Sequence, residues 1–165
     1  MATKIVVPLD GSPLAEAVLP AVRQFARRTQ VEVTLVAVAT LPSNVGQIVQ
    51  FQPSLLFGAP GSELERLVEA EQTRLRAYLA ERAAELAAEG IPTTTQVRRG
   101  EPATEIVRCV DEQGADGIWM STHGRTGLDQ LLHGSVAGEV LRGARVPVTL
   151  VRPAPEAFAA RAPRR

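Results

Sequence analysis

The chain has 165 residues, of which 45% are hydrophobic and only 4% aromatic, so we expect one domain with an aliphatic core. Its 18 basic and 18 acidic residues give a formal net charge of zero, which argues against a general nucleic-acid binder. The single cysteine, Cys109, excludes an intramolecular disulfide and a multi-cysteine metal site. No segment approaches a membrane span and the amino terminus lacks a signal-peptide pattern, so we expect a cytoplasmic protein without a membrane partner.

The chain opens with a strand, a turn and a helix. The nearly unbroken apolar run Lys4–Leu9 is typical of a parallel strand buried on both faces, and Pro8 lies near its end, where a lost N–H matters least. Pro13 suits the first position of a helix, and Leu14–Arg28 carries an amphipathic stripe.

Asp10, in the turn after this strand, has two interpretations. It is a turn carboxylate that accepts a neighbouring N–H at the helix start. Alternatively, it faces the ligand crevice that forms at the carboxyl end of a central strand in open α/β sheets.

The middle of the chain alternates between regular and irregular segments. Val31–Ala39 is rich in β-branched residues and predicts a second strand. Leu41–Gly61 contains three prolines and three glycines among apolar residues, and a connection of this length is either a functional lid or a mobile excursion. We leave open whether it covers a ligand or contacts a partner. Ser62 is a suitable cap for one long surface helix that runs to Glu89.

A third strand, Thr93–Val97, precedes a helix over Ala103–Gln113, in which Cys109 is a core residue. Arg98 and Arg99 follow this strand. They could approach phosphates or a partner, although adjacent arginines at a strand end usually face the solvent.

A glycine-rich loop then joins a fourth strand, Asp116–Ser121, to a helix that begins near Val136. Its glycines let main-chain N–H groups approach a ligand, and a serine stands where the helix needs an N-cap. Helix starts and consecutive N–H groups attract anions, so the loop predicts a phosphate cradle, although the same spacing also suits a plain surface turn. The residues are Gly124, Gly127, Gly134 and Ser135. The loop is neither a Walker motif nor a GxGxxG fingerprint.

This loop and the VPLDGS turn together resemble the ATP-binding branch of the universal stress protein family, whose motif is Gly-x2-Gly-x9-Gly-Ser/Thr. Gly124 matches the second glycine, and Gly134 with Ser135 closes the motif. Ser121 replaces the first glycine, so a Cβ and a hydroxyl lie where bare backbone is expected. The similarity covers about residues 4–152. It implies a doubly wound parallel five-stranded sheet, order 3-2-1-4-5, with helices on both faces.

The resemblance also implies a ligand and its contacts. ATP, alone or with Mg²⁺, is the expected cofactor, with adenine at Asp10 and at the backbone of Val38, and the phosphates on the 124–135 loop. The expected nucleotide-binding residues are Pro8, Asp10, Val38, Ser121, His123, Gly124, Arg125, Gly127, Gly134, Ser135 and Val136. We expect no catalytic residue and at most slow ATP hydrolysis, because no arrangement of base, arginine finger and metal carboxylates is evident.

The last strand bears on assembly. Pro147 places the apolar strand Val146–Val151 at a sheet edge, which needs a cover. Family members commonly pair this strand across a twofold axis, so we expect a homodimer as well as an unidentified regulatory protein partner. Residues 153–165 predict a mobile tail.

The alternative function is a nucleotide-free interaction module of the same fold. An adenylating enzyme is disfavoured because no SGGxDS-like or HIGH-like signature occurs.

Overall fold

A parallel sheet with helices on both faces forms the protein. The computed structural model describes residues 2–40, 63–122 and 136–153. Within them, five strands lie in the order β3-β2-β1-β4-β5, which confirms the expected doubly wound fold. The strands are β1 (Thr3–Pro8), β2 (Val31–Ala39), β3 (Thr93–Arg99), β4 (Gly117–Ser121) and β5 (Val148–Val151). The helices are α1 (Pro13–Glu16), α2 (Leu19–Ala26), α3 (Glu63–Ala88), α4 (Pro102–Gln113) and α5 (Val136–Gly143).

The sheet is buried on both faces because successive side chains of a strand point in opposite directions. In β1, Val6 and Val7 are both completely buried, each in a different apolar cluster. Helices α2 and α3 cover the face of Val7, and α4 and α5 cover the face of Val6. Cys109 is fully buried in the second cluster, which confirms that it is a core residue.

The first helix departs from the sequence prediction of one helix over Leu14–Arg28. The chain forms two short helices instead, because the first ends at Glu16 and the second begins at Leu19. Pro20 is the physical reason: it has no N–H to bond to the carbonyl of Glu16, and its ring clashes with that carbonyl. In the first turn of α2 the same proline is tolerated, because N–H groups there lack an intrahelical partner.

Helix α3 is longer than the sheet that it covers. Its 26 residues span roughly 39 Å, whereas the seven residues of β3 span about 23 Å. Leu75, Leu79 and Leu86 are buried and fix the second half of the helix on the sheet. Because α3 ends near the amino end of β3, its first turns project beyond the carboxyl edge of the sheet.

The two arginines at the end of β3 differ, which corrects the expectation that both face the solvent. Arg99 is exposed, but the Arg98 side chain is only 13% exposed and its Nη1 lies 3.3 Å from Glu105 Oε2. Arg98 Nη2 also pairs with Glu112. Burial alone lowers the pKa of Arg98, but the hydrogen bonds to Glu112 and Glu105 outweigh it and raise that pKa. Arg98 therefore clamps α4 onto the sheet.

Replacing Arg98 by Met should lower the free energy of unfolding by about 2 kcal/mol, because the buried Glu105 carboxylate loses its ion pair with β3. Arg108, 2.8 Å from Glu105, limits the loss. Arg99→Met removes the same charge from an exposed neighbouring position and should change stability little. Urea denaturation of both variants measures this difference, and equal stability of the two would contradict the clamp.

Candidate functional site

The strand order reverses between β1 and β4, which are neighbours in the sheet but far apart in the chain. The chain leaves β1 toward β2 and β3, and returns to place β4 and β5 on the other side. The helices that follow β1 and β4 lie on opposite faces. In such sheets, ligands bind in the crevice outside the carboxyl ends of the strands at this point. We call the space at the ends of β1 and β4 the crevice.

Pro8 helps to open the crevice. The carbonyl of Lys4 accepts a hydrogen bond from Asp116, just before β4, at 2.7 Å, so alternate residues of β1, including Pro8, direct their backbone groups toward β4. Proline has no N–H to donate there. Pairing of β1 with β4 runs only from Ile5 to Val6, so the two strands are not joined beyond that point.

Asp10 stands at the mouth of the crevice. Its Oδ1 accepts the Ser12 N–H at 2.8 Å, and Gly11 between them has φ +83°, a left-handed conformation that favours glycine. The Ser12 hydroxyl in turn accepts the Ala15 N–H at 3.1 Å and caps α1. The interpretation of Asp10 as a turn carboxylate is therefore confirmed. Asp10 is exposed, and within the described ranges its other oxygen makes no hydrogen bond.

Val38 presents its backbone to the same edge. The Leu9 N–H donates to the Val36 carbonyl at 2.8 Å, so Val36 directs its backbone groups toward β1. Val38, two residues further on, directs its N–H and C=O to the same side. There β1 has already ended, and these two groups find no hydrogen-bond partner in residues 2–40, 63–122 and 136–153. A backbone donor and acceptor of one residue therefore lie at the carboxyl edge of the sheet, the edge at which the Asp10 turn also lies.

Ser121, which replaces the first motif glycine, is the last residue of β4 and is half-buried. Its hydroxyl donates to the carbonyl of Leu14 in α1. The side chain therefore joins the end of β4 to the first helix across the switch point. The next residue, Thr122, continues toward β5 by donating its N–H to Val151 at 3.1 Å.

Val136 is the first residue of α5 and is 39% exposed, while Ala137, Gly138 and Val140 are buried. The other expected nucleotide-binding residues lie outside the described residues: His123, Gly124, Arg125, Gly127, Gly134 and Ser135. The Leu41–Gly61 connection and the tail from residue 154 also lie outside them.

Two side chains near the crevice were not expected from the sequence, Arg74 and Tyr78 of α3. Arg74 Nη1 lies 3.1 Å from the position that a Cβ on Gly11 would occupy. Burial, reinforced by the neighbouring Glu16 carboxylate, raises the pKa of Tyr78 well above its ordinary value. In the described ranges its hydroxyl has no hydrogen bond of good geometry. Arg74 lies among the charged residues of α3, which the sequence predicts to face the solvent. Tyr78 is partly buried against the apolar cluster that contains Val7.

The comparison with known proteins now identifies the family, because residues 1–152 match the model of the Universal stress protein family. The chain belongs to this family. Universal stress protein MJ0531 of Methanocaldococcus jannaschii is 33% identical over 150 residues, which cover 90% of this chain and 81% of that protein.

Solved structures of the family share the fold. A universal stress protein family member from Burkholderia pseudomallei superposes with a TM-score of 0.68 at 27% identity, covering 92% of this chain and 96% of that one. An Arabidopsis thaliana family protein with AMP bound has a TM-score of 0.60 at 16% identity, covering 93% and 94% of the two chains. At 16% identity, the similarity to the Arabidopsis protein shows a shared fold and no more.

A second depression, of about 350 Å³, opens at the opposite edge of the sheet. It lies at the amino ends of β1 and β2, and its lining includes Ala2, Arg27, Gln30, Glu32, Glu89 and Gly90. Ligands of open α/β sheets bind at the carboxyl edge, so the crevice, and not this depression, is the candidate site. In the described part of the chain, no helix has the length and apolar character of a membrane span. Those residues also contain no cluster of three potential metal ligands.

Proposed function

We propose that this protein binds an adenine nucleotide, ATP foremost, in the crevice and acts as a nucleotide-dependent stress-response module. The observation that carries the proposal is that the N–H and C=O of Val38 have no hydrogen-bond partner among the described residues and lie at the same edge of the sheet as the exposed Asp10 carboxylate. The Watson–Crick edge of adenine presents a ring-nitrogen acceptor next to an amino donor. A peptide donor and acceptor of one strand residue match that pair, and a carboxylate oxygen accepts the second amino hydrogen.

The phosphates are proposed to lie at the other side of the crevice, near the start of α5. This helix follows Gly134 and Ser135 directly in sequence, and a helix start with exposed N–H groups favours anions. Mg²⁺ would arrive with the nucleotide, held mainly by phosphate oxygens. The Arabidopsis protein with bound AMP gives support, because the same fold holds an adenine nucleotide there.

Regulation is proposed to follow from occupancy of the crevice. A nucleotide shifts a conformational equilibrium only to the extent that it binds one state more tightly than the other. We expect the 124–135 loop to be the segment whose conformation changes. A protein partner would then distinguish loaded from empty protein. We propose at most slow hydrolysis, because Asp10 and Ser121 already make hydrogen bonds within the protein and neither is positioned by a second group as a base.

The second candidate is an interaction module that does not bind nucleotide, and one observation favours it. Ser121 puts a side chain where the motif has glycine, and its hydroxyl bonds to Leu14. Ser121→Gly separates the two functions. If the Ser121 side chain crowds a nucleotide, the variant binds ATP more tightly than wild type. If the crevice is not a nucleotide site, neither protein binds ATP.

Asp10→Asn tests the nucleotide proposal in calorimetric titration with ATP. Asparagine keeps an oxygen for the Ser12 N–H but replaces the free carboxylate oxygen by a donor, which faces the amino group of adenine. We expect ATP affinity to fall by about tenfold. Asp111→Asn, an exposed position on α4, is the matched control and should bind like wild type. Equal affinity of the two variants, or no heat with wild type at millimolar ATP, would contradict the proposal.

We also propose a homodimer through the β5 edge. Of the two edge strands, β3 is polar, with three threonines and two arginines, whereas β5 reads VTLV. Uncovered apolar edges promote unwanted strand pairing, so β5 is the edge that needs a partner. Light scattering at micromolar concentration should give twice the 17.6 kDa mass of one chain. A single-chain mass across the whole concentration range would rule this out.

A further inference from the structure

The crevice has a cationic neighbour that the family motif does not contain. The guanidinium of Arg74, on α3, stands over Gly11, with Nη1, Nη2 and Cζ at 3.1, 3.8 and 3.9 Å from the position of a Cβ on that residue. The absence of a side chain at Gly11 therefore lets Arg74 approach the turn. The charge of Asp10, next to Gly11, reaches Arg74 and contributes to its raised pKa, after the larger effect of Glu71.

Glu71 holds Arg74 in this place by a two-point hydrogen bond. Arg74 Nε donates to one carboxylate oxygen at 2.8 Å and Nη2 donates to the other at 2.7 Å. This fork leaves Nη1, the atom closest to Gly11, without a hydrogen-bond partner in the described ranges. The Arg74 side chain is 54% exposed. Its neighbour Leu75 is buried and anchors this turn of α3 on the sheet. A donor is thus directed at the turn and accessible from outside.

The position of α3 indicates which part of a nucleotide Arg74 would meet. Helix α3 packs on β2 and β3, on the side of β1 away from β4. The proposed phosphate site follows β4, whereas Asp10 and Val38 form the proposed adenine site. Arg74 therefore approaches from the nucleoside end of the crevice.

We propose that Arg74 is a nucleotide-binding residue that donates a hydrogen bond from Nη1 to the nucleoside part of a bound adenine nucleotide. The inference rests on the proposed function and deepens it. Arginine suits this role because its planar guanidinium keeps one edge on Glu71 while the remaining N–H groups serve the ligand. Because Arg74 is exposed and Glu71 is only half-buried, their ion pair contributes little to folding, so effects on binding and on stability can be separated in variants.

The test compares Arg74→Gln with Arg76→Gln in calorimetric titrations with AMP and with ATP. Arg76 is exposed on the same helix, so the control removes the same charge away from the Asp10 turn. We expect Arg74→Gln to weaken both ligands by the same factor, roughly 5- to 10-fold, with an unchanged melting temperature, and Arg76→Gln to match wild type.

Several outcomes would overturn the inference. Wild-type affinity of Arg74→Gln for both ligands removes Arg74 from the site, and a loss confined to ATP shows that it acts on the phosphates. If wild type binds AMP or ATP while Arg74→Gln is unaffected, only the role of Arg74 fails; if wild type binds neither, the proposed function itself fails.

Glu71→Gln gives a second, independent measurement. It keeps Arg74 but weakens the fork, so we expect a smaller loss of affinity than in Arg74→Gln. A larger loss would show that Glu71, and not Arg74, contacts the nucleotide.

Discussion

Burial of β1 on both faces is the constraint on which the rest of the structure depends. A parallel strand without polar alternation needs a layer of helices on each side, and right-handed crossovers deliver those layers only if the chain first winds one way and then the other. Val6 and Val7 illustrate this, since each is completely buried under a different layer. The reversal of winding beside β1 creates the crevice, so the same apolar run that builds the core also locates the site.

The edges of the crevice follow from where the strands stop. Pro8 has no N–H to extend the pairing with β4, whereas β2 continues to Ala39, beyond the end of β1. The overhang leaves one peptide donor and one acceptor, at Val38, without a hydrogen-bond partner among the described residues. Unpaired backbone groups are costly unless water or a ligand satisfies them, which makes this overhang the most informative feature of the site.

Much of the fold could be predicted from local sequence. The bounds of β2 were predicted correctly, because a run of β-branched residues is a strong local signal. The break after Glu16 is not evident from the hydrophobic pattern, because the apolar stripe continues past Pro20. The burial of Arg98 cannot be predicted from local sequence, because its partners lie seven and fourteen residues further along and meet it only when α4 packs on the sheet.

The candidate site was less accessible to sequence reasoning. Asp10 stands in a recognisable turn, but recognition by the Val38 backbone leaves no trace in its side chain. Arg74 reaches Gly11 from a helix more than sixty residues later, through a tertiary arrangement that no local pattern encodes. Resemblance to the family supplied Asp10 and Val38, but Arg74 lies outside the family motif and became evident only in three dimensions.

The central claim is that the crevice at the carboxyl ends of β1 and β4 binds adenine nucleotide, and ¹H–¹⁵N NMR titration with ATP tests it most directly. The account predicts saturable shifts of the amide signals of Gly11, Val38 and Thr122, with those of Gln30 and Gly90 at the opposite depression unchanged. Shifts that concentrate at Gln30 and Gly90, or no shifts at millimolar ATP, would contradict it.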